Sequence, residues 1–235
     1  MADACDGLQF GQHITTQTAL AKLRILALWI HRSPQRRQKW KDIYKIKNLP
    51  DKYIEYNIDT CWNSTYQMLD SGLTAQRQIN KFLTFQSELP PFSTADWTRL
   101  AQIRKVLSKF NDFTLFVSEK KPHISLTVPI YYALHDLLDN ASERKGDFVD
   151  LDPDIALAVE EGIKKYDKYY TLMDASDVYY TALTLDPRVK GEVIVRELQG
   201  DNDSGNLVLE EIRCSLHQKY PLIDPDLSGA VSTTQ

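Results

Sequence analysis

The chain has 235 residues, 43% of them hydrophobic and 26% charged, and a formal net charge of −4, an ordinary balance for a soluble globular protein. Nine glycines and ten prolines are few for an all-β chain with many tight turns, and no apolar run approaches the roughly 18 residues of a membrane span. Cys5, Cys61 and Cys214 are too scattered for a disulfide framework or a zinc site, and the first residues lack a basic stretch followed by an apolar one, so an intracellular, reduced, non-secreted protein is expected.

Helical periodicity dominates from the start. Leu20, Leu23, Ala27 and Ile30 fall on one stripe of a first helix. Ser33-Pro34 reads as an N-cap followed by proline at the first helical position of a second, with Trp40, Ile43 and Tyr44 on its apolar side. After a polar link near Leu49-Pro50-Asp51, one stripe runs through Trp62, Tyr66, Leu69, Leu73, Ile79 and Leu83, with a weak centre at Gly72. Ser93 or Thr94 then caps the clearest helix, on which Trp97, Leu100, Ile103, Leu107, Phe110 and Phe113 recur. Another helix follows Pro129 and carries Ile130, Leu134, Leu137 and Leu138. The stretch "ASERKGDFVDLDPD" reads as a polar loop, and Asp152-Pro153 opens a helix bearing Ile155, Val159, Ile163, Tyr166 and Tyr170. A shorter helix from Ser176 stops at Asp186-Pro187, and "LVLEEIRCSLHQKY" reads as one last amphipathic helix. The expectation is an all-α, multi-helix array, divided into a mobile N-terminus (1–15), a helical domain (16–198) and an acidic, largely flexible tail (199–235).

Charge is unevenly spread. Residues 1–118 hold 16 Lys/Arg against 10 Asp/Glu, whereas residues 119–235 hold 12 against 22. Within the basic half, residues 22–47 carry nine Lys/Arg and one Asp, so either a solvated helix face or a polyanion-binding surface fits Arg32, Arg36, Arg37, Lys39 and Lys41. No Gly-rich phosphate loop, G-x-S-x-G or H-E-x-x-H is present, and the five histidines are scattered. Asp154 and Asp186 read as a first-turn helix charge and a helix stop. Trp62 is either a core tryptophan or a platform for a nucleobase, and Asn63, Ser64 and Thr65 either cap the helix or donate to phosphates.

The segment "DTCWNSTYQMLDSGL" (59–73) resembles the hallmark of hAT-superfamily transposases, whose usual form is D-x-x-T-R-W-N-S-T-Y-x-M-L. Trp62 through Tyr66, then Met68 and Leu69, match it as they stand, while Cys61 occupies the place of the arginine and gives up its charge-assisted phosphate contact. Other blocks lie in the family's order: the basic segment with Ser33 and Arg36-Arg37, the helical stretch with Asp96-Trp97, Leu107, Phe110, Ser118 and Pro129, and "LTLDPRVK" with Leu185 to Arg188 and Lys190. The resemblance, over roughly residues 18–196, implies a helical domain of the kind inserted into an RNase H-like catalytic core. It implies DNA as partner, nuclear localisation, and a tryptophan near the DNA ends at the place of Trp62.

Family enzymes cut DNA with Mg²⁺ on three carboxylates, two before this motif and one well after the L-D-P-R block. The 58 residues before the motif segment do not read as core strands, so no catalytic residue, cofactor or metal ligand is carried over. The expectation is a fragment or a decayed or domesticated copy of a hAT transposase. It would not be an enzyme by itself, and would bind nucleic acid weakly through Trp62, Asn63, Ser64, Tyr66, Arg32, Arg36, Arg37, Lys39 and Lys41. The alternative is a protein-interaction module that meets protein partners or related transposase chains through the tyrosine pairs 131–132, 169–170 and 179–180.

Overall fold

The computed structural model describes residues 18–47, 54, 62–118, 124–189, 192–197 and 204–221. The expected mobile N-terminus, the polar link at Leu49-Pro50-Asp51, Cys5, Cys61, Lys190 and the Trp62 and Tyr44 side chains lie outside that description. Among the described residues there are ten α-helices and no strand. They are α1 (Ala19–His31), α2 (Pro34–Lys47), α3 (Trp62–Thr74), α4 (Gln76–Leu83), α5 (Thr94–Val117), α6 (Thr127–Ser142), α7 (Pro153–Asp174), α8 (Asp177–Leu185), α9 (Glu192–Glu197) and α10 (Ser204–Lys219). The all-α expectation therefore holds. No helix among them is long and apolar enough to cross a membrane. The chain divides into two compact units, Met1–Thr114 with Leu151–Ile155, and Leu115–Asp150 with Ala156–Gln235.

In the first unit α1 packs on α2 and α3, and α4 packs on α2 and α3. Thr18 starts α1 by accepting the Ala21 N–H at 3.3 Å, which satisfies one of the donors a helix start leaves free. The core gathers Leu23, Leu26, Ile30, Trp40, Met68, Leu69, Ile79, Phe82 and Leu100. Phe82 receives two tryptophans edge-on, Trp29 at 5.7 Å and Trp40 at 5.3 Å between ring centres, the geometry the ring quadrupole favours. Buried Gln78 donates to the Trp40 carbonyl at 3.3 Å, tying α4 to α2.

The stripe from Trp62 to Leu83 is two helices, and the break falls at Ala75 (φ −90°, ψ 11°), not at Gly72. Just before it the Thr74 hydroxyl donates to the Asp70 carbonyl at 2.8 Å, a back-bond that bends helices. Gly72 has a packing reason instead: a Cβ there would lie 2.9 Å from both methyls of Leu23 on α1. At α5, Ser93 is the cap and forms a reciprocal box with Asp96. Its hydroxyl accepts the Asp96 N–H at 3.1 Å, and the carboxylate accepts the Ser93 N–H at 2.8 Å. Lys22 also donates to Asp96 at 2.8 Å. Burial works to raise that carboxyl, but the bonds from Lys22 and Ser93 outweigh it and hold the group below its ordinary value.

In the second unit the stretch expected as a polar loop contains a 3₁₀ turn, Gly146–Phe148, with Phe148 buried. Arg144 and Gly146 both have positive φ, which turns the chain tightly enough to bring Phe148 inward. Tyr131, Tyr132, Tyr170, Tyr179 and Tyr180 pack around Val128, Met173, Leu183 and Ile194. Five of the six paired tyrosines on α6, α7 and α8 are thus half-buried against the second core, and Tyr169 alone of the six is exposed.

Candidate nucleic-acid interface

α1 ends at His31 and α2 begins at Pro34, so only Arg32 and Ser33 make the turn. Arg32 closes α1 by donating its backbone N–H to Leu28, and Arg37 already bonds back to the Ser33 carbonyl at 3.0 Å. Such a short link puts the last turn of α1 and the first turns of α2 around one cleft of about 460 Å³. Trp29, Arg32, Arg36 and Lys39 line it from the two helices, and Gln86 and Glu88 line it from the segment after α4. The Arg36 guanidinium lies 4.2 Å over the Trp29 ring and reaches the Trp29 carbonyl at 3.5 Å. That cation–π contact, worth about 0.5–2 kcal/mol, holds the guanidinium at the cleft in advance of any ligand. Trp29 is itself 4% exposed, clamped between Arg36 and the edge of Phe82.

Three of the expected cations, Arg32, Arg36 and Lys39, therefore converge. Arg37 is exposed on the same helix and does not line the cleft, and Lys41 is half-buried with interaction partners of its own. The start of α3 is a separate place. Trp62 is its first residue, and Asn63, Ser64 and Tyr66 are half-buried and do not line the cleft. Asn63 Oδ1 is sealed from solvent without a hydrogen-bond partner, whereas Ser64 already has one. Met68 and Leu69 are fully buried, so the second half of the motif serves the core. Sequence spacing missed Trp29, Gln86 and Glu88. The only available signal was an aromatic seven residues before an arginine across a Ser-Pro turn, and nothing local points to Gln86 or Glu88.

The L-D-P-R block builds a tie within the second unit. Asp186 caps α8 and is nearly buried, and its carboxylate accepts from Arg188 Nε at 3.0 Å, Arg188 Nη2 at 2.7 Å and Ser125 Oγ at 2.6 Å. The Arg188 guanidinium first, then the Ser125 hydroxyl, hold this carboxyl well below the usual carboxylate range. Asp154 lies in the first turn of α7 as expected and is also paired with Arg99. Among the described residues no three His, Cys, Asp or Glu side chains are placed together to hold a metal ion.

Residues 5–106 match the family described as the ZBED1 RNase-like helical domain, a span that lies within the first unit. Over 233 residues, 92% of this chain, the sequence is 25% identical to a Zea mays protein named as an AC transposase. The chain carries a hAT-like helical region. It is also 21% identical over 210 residues to the human zinc finger BED domain-containing protein 4, across 84% of this chain. A Talaromyces stipitatus protein named as the transcriptional regulator tpeD is 26% identical over 177 residues, 74% of this chain. The chain spans 17%, 18% and 27% of the human, fungal and maize relatives respectively, so it corresponds to less than a third of each. No solved structure matches it. The hAT-like region thus contains the α1–α2 cleft and the start of α3 together.

Proposed function

We propose that the hAT-like region is a DNA-handling module, in which the α1–α2 corner holds backbone phosphates for a nuclear, transposase-related or regulatory activity. One observation carries this: Arg32, Arg36 and Lys39 meet at a single cleft, with Arg36 already held by Trp29. Phosphate neutralisation by such a group releases condensed counterions, which is the main source of sequence-independent affinity. Relatives named as a transposase, a transcriptional regulator and a BED zinc-finger protein support the same assignment. Trp62, Asn63, Ser64 and Tyr66, at the start of α3, are assigned a second and separate contact with the same DNA. The role assigned is binding; strand cutting is not assigned to these residues. The test is the Arg32→Gln/Lys39→Gln double variant, which leaves Arg36 on Trp29 and spares the core. Its affinity for a short DNA duplex at moderate salt falls about tenfold, at unchanged helicity. Equal affinity of parent and variant contradicts the assignment.

A further inference from the structure

We infer that the α1–α2 cleft takes one unpaired nucleotide and reads its base, with a preference for bases that carry an exocyclic amino group. This rests on the DNA-handling role proposed above and narrows it. The cleft is bipolar. Arg32, Arg36 and Lys39 line it from α1 and α2, and Glu88 with Gln86 line it from the segment after α4. Among the described residues no ion pair joins Glu88 to any of the three cations, and with Arg36 engaged by Trp29 it is Glu88, Arg32 and Lys39 that are left to a ligand.

A ligand that satisfies both must bring an anion and a hydrogen-bond donor on one rigid body. A nucleotide whose base has an amino group does so, and about 460 Å³ is room for one. Its phosphate meets Arg32 and Lys39. Its base lies on the Arg36 guanidinium, on the side away from Trp29, over whose ring that guanidinium already sits. Its amino group donates to the Glu88 carboxylate, the pairing a carboxylate makes with cytosine N4. A duplex still shows one N–H of each amino group in its major groove but stacks the base faces out of reach, so an unpaired base alone can cover the Arg36 guanidinium and reach Glu88 together. Thymine offers carbonyl oxygens at the corresponding place, which face Glu88 unfavourably.

The experiment compares binding of short oligo-dC and oligo-dT of equal length by fluorescence anisotropy, using the full chain at neutral pH. Oligo-dC binds about tenfold tighter. Glu88→Ala, at an exposed position, strengthens oligo-dT by removing a negative charge and abolishes the preference. Glu88→Gln, which keeps an acceptor oxygen, retains part of it. A Glu88→Ala variant that gains affinity for both oligomers with the ratio unchanged means that Glu88 acts only through its charge, and overturns the inference. Equal binding of oligo-dC and oligo-dT by the parent overturns it too, while leaving the phosphate-binding role in place. Absence of binding to both oligomers and to duplex removes both proposals.

Discussion

A Cβ at Gly72 would press on Leu23, a side chain with no solvent exposure in the middle of the first core, whereas one at Gly162 meets nothing within 4 Å. Both glycines sit inside helices, and local sequence describes them alike, as weak points costing about 1 kcal/mol against alanine. Their difference comes from a neighbour on another helix, which local spacing does not encode. Gly162→Ala should therefore stabilise the protein by about 0.5–1 kcal/mol. Gly72→Ala gains the same helical term but overpacks Leu23, at a cost of about 1–3 kcal/mol, and so destabilises. Urea unfolding of the two variants checks this, and a stabilised Gly72→Ala would contradict the close approach of α1 and α3. The same limit hid Trp29. Its value to the cleft lies in Arg36 stacking on it after the chain reverses at Arg32-Ser33, and periodicity marks it only as one more apolar residue.

Elements were legible where one signal was continuous. α5 follows its apolar stripe from Trp97 to Phe113 and begins at the expected cap, because Ser93 and Asp96 satisfy each other locally. The division of α3 from α4 was not legible, since Thr74 and Ala75 keep the stripe in phase while a hydroxyl competes for the backbone. α9 was missed as well, being only six residues long and anchored by Ile194 in the second core. Around that core the helices α6, α7 and α8 bring tyrosines together in a way their spacing does not announce. Tyr166 stacks on Tyr170 at 5.8 Å, Tyr166 donates to the Tyr131 carbonyl at 2.9 Å, and Tyr180 donates to Asp174 at 2.5 Å. Burial first, then neighbouring tyrosines, push the Tyr132 hydroxyl up to about 12, and burial likewise raises Tyr131, Tyr166 and Tyr180. These groups are neutral in the fold, so their contribution is complete below the ordinary tyrosine value of 10.0 and is lost as pH rises from there through about 12. Helicity and tyrosinate absorbance followed together in alkali should change in one step, and Tyr132→Phe should make stability in that window less steep in pH. Tyrosines that ionise near 10 with helicity intact would contradict the packing of this cluster.

Over the whole molecule, the sequence separated a basic first half from an acidic second half, and the structure places the convergent cations Arg32, Arg36 and Lys39 in the first compact unit. The likeness to a hAT-type helical region was legible in Trp62 to Tyr66, Met68 and Leu69. The working geometry was less so, because of the nine candidate contact residues three line the α1–α2 cleft, four lie at the start of α3, and Arg37 and Lys41 belong to neither. The motif carries the resemblance with its Met68 and Leu69 in the core, while the cations proposed to bind phosphate gather one helical hairpin earlier. The central claim, that this corner binds DNA through phosphate contacts, is tested most directly by the salt dependence of duplex affinity. Three neutralised phosphates give a log–log slope of about −3, and the Arg32→Gln/Lys39→Gln variant reduces its magnitude by about 2. A slope near zero, or one the double variant leaves unchanged, would contradict it.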